Sequence, residues 1–158
     1  MNRTWVAILL CSFPLSASAA GETTIPKVVP YADGVGSDAI RKECAWDKDL
    51  SKHIVRYSKR KTVVIAKDPS VATGKVLTLT ITKVHAIGGG WYTGAKFADL
   101  QGELRKGGQL IGSFKAARQT TSTHTTCGAL DRVGKALGKD IAEWLKAPTL
   151  DARLGDEK

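Results

Sequence analysis

Residues 95–118 read AKFADLQGELRKGGQLIGSFKAAR, and this stretch decides the fold. Ala98, Leu100 and Leu104 alternate with Asp99, Gln101, Glu103 and Arg105. That period of two gives a strand one apolar and one polar face. Gly107-Gly108 reads as a two-residue hairpin turn, and Leu110, Phe114 and Ala116 carry the return strand from Gln109 to Arg118. Upstream, Lys75 to Ile87 alternates in the same way, with Leu77, Leu79 and Ile81 set against Thr78, Thr80 and Thr82. After Lys83 the apolar phase moves to Val84 and Ala86, which predicts a bulge or a strong twist. Three long strands joined by short loops make an antiparallel meander.

Outward from the meander, Thr62-Val63-Val64-Ile65-Ala66 reads as a short strand ended by Asp68-Pro69. Ser37 suits an N-cap, Asp38 favours the first helical turn, and no glycine or proline interrupts the chain up to Tyr57. One helix is therefore predicted there, with Leu50, Ile54 and Tyr57 on its apolar face, Ile40 and Cys44 earlier, and a slip of register around Trp46-Asp47. Lys48, Lys52, Arg56 and Lys59 or Arg60 recur every three or four residues and form an opposite, basic stripe. Gln119 to Thr126 reads as a polar loop. From Gly128 to Ala147, Leu130, Val133, Leu137, Ile141, Trp144 and Leu145 give the strongest helical periodicity in the chain. Gly134 and Gly138 cost that helix about 1 kcal/mol each relative to alanine, which makes sense if they let its backbone lie close to the strands. Pro26 and Pro30 make residues 21–36 an extended lead-in, in which Lys27-Val28-Val29 is at most a short edge strand. The expectation is one α+β domain over residues 21–148, with an antiparallel or mixed sheet of about four strands, two helices packed on one face, and a flexible polar tail over residues 149–158.

Residues 1–20 read as a signal peptide. Arg3 is the positive n-region, Trp5 to Phe13 the apolar core, and Ser16-Ala17-Ser18-Ala19-Ala20 the small-residue cleavage site. The expected location is the periplasm or the outside of the cell. No other run approaches the ~20 apolar residues of a membrane span, so no transmembrane segment is expected. Cys11 lies in the leader, and Leu10 before it is not the small residue that a lipoprotein signal wants. Cys44 and Cys127 remain and are expected to pair in an oxidising compartment. Their loop of roughly eighty residues gives a chain-entropy stabilisation of about 4–5 kcal/mol.

The formal charge of +9 falls to +8 without Arg3, and the cations are unevenly placed. Between Asp49 and Asp68 there is no acid, while Lys52, Arg56, Lys59, Arg60, Lys61 and Lys67 fall there. Such a patch attracts polyanions. Outside the cytoplasm these are lipid phosphates, lipopolysaccharide, acidic polysaccharide or another envelope protein with an acidic surface, and nucleic acid is not expected. The plainer alternative is a solvated face that aids solubility. A second candidate is Gly88-Gly89-Gly90-Trp91-Tyr92-Thr93-Gly94, where Trp91 and Tyr92 sit on a glycine-rich tip. Exposed, they would stack on sugars, enter a lipid interface or anchor a protein; folded back, Trp91 would be a lid on the core.

Catalytic patterns are thin. Gly34-Val35-Gly36-Ser37-Asp38-Ala39 fits a dinucleotide turn, yet prolines break the strand before it and the later strands are antiparallel, so a plain turn into a helix explains it better. Asp99 and Glu103 share a strand face roughly 13 Å apart, too far for glycoside hydrolysis. His53, His85 and His124 are scattered over a helix, a strand and a loop, so no metal and no cofactor is expected. His124, among threonines and serine, is the one anchor for a hydrolase, but no Gly-x-Ser-x-Gly elbow accompanies it.

Thr126-Cys127-Gly128-Ala129-Leu130 and Leu137-Gly138-Lys139-Asp140-Ile141-Ala142-Glu143-Trp144-Leu145, ending at Pro148, resemble the close of small exported proteobacterial proteins of unknown function. The order of elements is similar to envelope domains of the TolB N-terminal kind, which implies helices on one face of a curved mixed sheet. Neither resemblance implies a reaction. The expected function is a non-enzymatic envelope accessory or binding protein, with a small secreted hydrolase centred on His124 as the alternative.

Overall fold

A computed structural model describes residues 22–59, 63–69, 72, 74–86, 94–121 and 125–157. The leader, Arg60, Lys61, Trp91, Tyr92 and His124 lie outside the described residues. The meander forms as β3 (Lys75–His85), β4 (Lys96–Lys106) and β5 (Gln109–Thr120). β3 pairs antiparallel with β4, and the register shifts between Ile81 and Lys83, where the apolar phase changes in the sequence. Gly107 and Gly108 turn the hairpin at φ 55° and 83°, the left-handed pair that matches the twist of the strands. A second shift between Leu104 and Arg105 leaves Ile111 without a partner on β4. It turns Leu110 outward at 36% exposure, so Leu110 is not part of the core row, whereas Phe114 and Ala116 are.

The sheet has six strands, not about four, in the order β2-β1-β3-β4-β5-β6, and it is mixed. Two of these strands come from segments that read as lead-in and tail. β1 is Thr23–Pro26, one step before Lys27-Val28-Val29, and it pairs in parallel with both β2 (Val63–Ala66) and β3. Pro26 closes the strand, where its missing N–H does least harm. β6 (Ala152–Gly155) pairs in parallel with β5, Ala152 beside Phe114 and Leu154 beside Ala116. The last residues are therefore an edge strand and not a free tail.

Parallel neighbours need a crossover. One runs from β1 through α1 (Asp38–Glu43) and α2 (Trp46–Tyr57) to β2; the other runs from β5 through α3 (Thr126–Trp144) to β6. The single helix read between Ser37 and Tyr57 is thus two. Ser37 caps α1 by accepting from the Ile40 N–H at 3.3 Å, and the chain leaves the helix at Cys44 in extended geometry, φ −105° and ψ 124°. Cys44 forms its disulfide with Cys127 across 83 residues, Cα to Cα 5.1 Å. The bridge ties the junction of α1 and α2 to the first turn of α3. The register slip at Trp46-Asp47 is where α2 begins.

α2 and α3 pack on each other and cover the apolar face of the sheet. Leu50 and Ile54 of α2, Leu130, Leu137 and Ile141 of α3, and Leu77, Ile81, Leu100 and Leu104 of the strands are buried to 1% exposure or less. The glycines of α3 serve this helix pair and not a helix–strand contact. A Cβ on Gly138 would stand 2.7 Å from the His53 Cβ and 3.2 Å from the Ile54 nitrogen, and one on Gly134 3.5 Å from Trp46 Cε3.

Candidate binding surfaces

Burial of Leu50, Ser51 and Ile54 fixes the rotation of α2, and Ser51 anchors it by donating its hydroxyl to the Pro26 carbonyl at 2.7 Å. Lys48, Lys52 and Arg56 then face solvent, as does Lys59 just past the helix. Lys52 is half-neutralised by Asp49, Nζ to Oδ1 2.7 Å. The exposed side of α3 adds Arg132, Lys135 and Lys139 to the same layer. At the seam of the two helices His53 Nε2 lies 3.3 Å from Asp131 Oδ1. The acids of the layer are few and engaged: Asp49 and Asp131 as described, Glu143 with Lys146, and Asp140 turned to Arg118 at 2.7 Å. Counting charges within one run of sequence missed the α3 cations. The helical period would have found them, because 132, 135 and 139 fall opposite Leu130, Val133, Leu137 and Ile141.

The opposite face of the sheet carries no helix. It presents the polar members of each alternation: Thr78, Thr80 and Lys83 of β3, Asp99, Gln101, Glu103 and Arg105 of β4, Ser113 and Lys115 of β5, and Arg153 of β6. Asp151 and, beside Arg153, Glu157 bring the acids of this face to four, against the four cations Lys83, Arg105, Lys115 and Arg153. Partial burial raises the Asp99 carboxyl above its ordinary value, Lys83 across the ladder opposes the rise, and Glu157 adds to it. Beside it His85 stacks on Phe97 at 5.2 Å, and Lys83 Nζ sits 5.2 Å over the same ring. Asp99 and Glu103 occupy separate ladder positions, opposite Ala117 and Ser113. A groove of about 520 Å³ crosses β3, β4 and β5, with Asp151 and Arg153 forming its wall.

A third cluster lies where the two helix starts meet the sheet. Tyr31 packs edge-on to Trp46 at 6.2 Å between ring centres, with the Arg41 guanidinium 5.0 Å above its ring. Its phenol is pushed up to about 12, chiefly by burial and secondarily by the charge of Asp47, while the Trp46 N–H and Arg41 pull the other way. The Tyr31 hydroxyl and Trp46 Nε1 are buried without hydrogen-bond partners of good geometry. Such a pair packs the core; it offers no chemistry.

Among the described residues no three histidine, cysteine or carboxylate side chains gather as metal ligands. No described helix is long and apolar enough to cross a membrane. The structure places Lys52, Arg56 and Lys59 together and adds three cations to them, and it joins Cys44 to Cys127. Arg60, Lys61, Trp91 and Tyr92, like the hydrolase anchor His124, lie outside the described residues.

Two parallel crossovers flanking an antiparallel meander, both helices on one face, define an α+β class of mixed-sheet domains. No family model matches the chain, and no curated protein matches it. Solved structures do share the fold. A PelC dodecamer from Paraburkholderia phytofirmans matches with a TM-score of 0.51 at 17% identity, over 82% of this chain and 90% of that one. A Xanthomonas campestris protein of the DUF330 family matches with a TM-score of 0.51 at 13% identity, over 87% and 90%. A further uncharacterised protein matches at 0.50 and 16% identity, over 78% and 92%. At these identities the likeness is one of fold.

Proposed function

We propose that the chain is an exported, non-enzymatic accessory or binding protein of the cell envelope that takes an anionic envelope component on the outer face of its helix layer. The observation that carries this reading is the segregation of charge: Lys48, Lys52, Arg56 and Lys59 of the α2 side and Arg132, Lys135 and Lys139 of α3 all face solvent on one side of the domain, while the open sheet face is balanced. The leader-like residues 1–20 and the Cys44–Cys127 bridge support export. A flat two-helix surface with no exposed large apolar side chain binds by charge alone, so attraction is long-ranged and reversible, at about 1 kcal/mol per cation against an anionic lipid surface.

The test is co-sedimentation of the leaderless protein with vesicles of phosphatidylglycerol or with lipopolysaccharide over a salt series. Binding should fall steeply as the screening length shortens to about 8 Å at physiological ionic strength. Reversing Lys52, Arg56 and Lys135 to glutamate should abolish it with an unchanged melting curve. Wild-type protein that binds neither surface at low salt, or a triple variant that binds as well as wild type, refutes the reading.

A further inference from the structure

From the open face of the sheet we infer that the groove over β3–β5 is a binding site for an acidic saccharide, one whose carboxylate sits between Lys115 and Arg153. This site is separate from the helix layer and does not rest on the reading above. Lys115 of β5 and Arg153 of β6 are in-register partners on adjacent strands, and both are exposed. Two cations side by side on neighbouring strands repel each other, and an anion held between them would relieve that repulsion. The neighbouring carboxylates do not supply it. Glu103 is held by Arg105 at 2.8 Å, Asp151 is bonded to the Ser113 hydroxyl at 3.2 Å, and Glu157 pairs with Arg153 at 3.9 Å, which leaves Lys115 without a carboxylate partner among the described residues.

The rest of the groove says what carries the anion. In the same row of the ladder, Thr80 stands opposite Gln101 and Gln101 opposite Lys115. Among the described residues the Thr80 hydroxyl, the Gln101 amide and the Lys115 ammonium have no side-chain partner. One residue pair along, roughly 7 Å away by strand rise, Glu103 and Asp151 offer acceptors. A hydroxyl, an amide and a cation pair facing two carboxylates across such a step match a ligand with one acid group and several hydroxyls. The volume of about 520 Å³ lies within the roughly 300–1,000 Å³ of small-ligand clefts. A peptide is a poorer occupant, because the groove lies over the face of the sheet at β4, which is paired with β3 on one side and β5 on the other, so the site offers no strand edge for a peptide to extend.

Titration calorimetry of the full leaderless protein with trigalacturonic acid, neutral maltotriose and inorganic phosphate tests this. Trigalacturonic acid should bind saturably and at least about tenfold more tightly than either of the others. Lys115→Gln with Arg153→Gln should weaken it by about tenfold or more, as loss of a charge-assisted contact does, while Lys27→Gln with Lys67→Gln, an equal loss of charge at the exposed β1–β2 end away from the groove, should not. Both groove positions are exposed, so the melting curve should hold; if the double variant melts early, Lys115→Gln and Gln101→Ala singly provide the same readout. No saturable binding of trigalacturonic acid, equal binding of maltotriose, phosphate binding as tightly as the trisaccharide, or groove variants with wild-type affinity would each overturn the assignment.

Discussion

Alanine at Gly134 and alanine at Gly138 should move stability in opposite directions. Both positions lie inside α3, so each replacement gains about 1 kcal/mol of helix propensity. At Gly134 the new methyl meets Trp46 Cε3 at 3.5 Å, an ordinary contact, and the variant should be more stable by about 0.5–1 kcal/mol. At Gly138 it stands 2.7 Å from the His53 Cβ and 3.2 Å from α2 backbone atoms, where carbon atoms want about 3.5–4.0 Å. No rotamer relieves this, because the obstacle is a Cβ and a backbone, and α3 must ride outward against the pull of the disulfide at its start. Overpacking of that kind costs about 1–3 kcal/mol, leaving a net loss of up to about 2 kcal/mol after the propensity gain. Urea unfolding under oxidising conditions should give midpoints on either side of wild type with an unchanged slope, since the slope follows the area exposed. His53→Ala should not rescue Gly138→Ala, because it keeps the Cβ. Two variants shifted to the same side of wild type by similar amounts would refute the close helix–helix contact.

Other outcomes follow from features already described. Purified exported protein should show no free thiol when denatured without reductant, and reduction should cost about 4.5 kcal/mol for a closed loop of this length; two titratable thiols per chain would refute the pairing. Arg118→Ala leaves the carboxylate of Asp140, only 19% exposed, unpaired and frees Asp156, which also accepts from the Gln119 N–H at 3.1 Å. Partial exposure keeps the loss to about 1–2 kcal/mol, and amide exchange should speed up selectively in β6; uniform exchange would show that β6 is held by other means. Tyr31 stays protonated in the folded chain up to about 12 but ionises near 10 when unfolded. Its contribution is therefore intact below pH 10 and lost as the pH rises from 10 to 12. Tyr31→Phe should match wild type at pH 7 and lose less at pH 11, and equal losses would refute the assignment.

The parts of the fold that the sequence announced are the ones with a long period. Eleven residues of alternation in β3 and again in β4 outweigh any local irregularity, and the phase change at Val84 marked the bulge. β1 and β6 have four residues each, too few for a period to emerge. Ala152 and Leu154 are the only apolar groups that β6 turns inward, and Pro26 disguises β1. The break at Cys44-Ala45 was visible only as a slip of register, since no glycine or proline marks it. For the basic surface, the α2 stripe was legible because its cations are close in sequence. Arg132, Lys135 and Lys139 belong with them only after α3 has packed beside α2. The groove was not legible at all, because Lys115 and Arg153 meet through a parallel pairing between a strand and an apparent tail.

The position of the disulfide has a consequence for biogenesis. The 83-residue separation encloses β2, β3, β4 and β5, so the bond closes only after the whole meander has been made. With Cys11 inside the leader-like segment, Cys44 and Cys127 have no rival partner. An oxidant alone is then sufficient to complete the molecule, and no isomerase is needed to correct it.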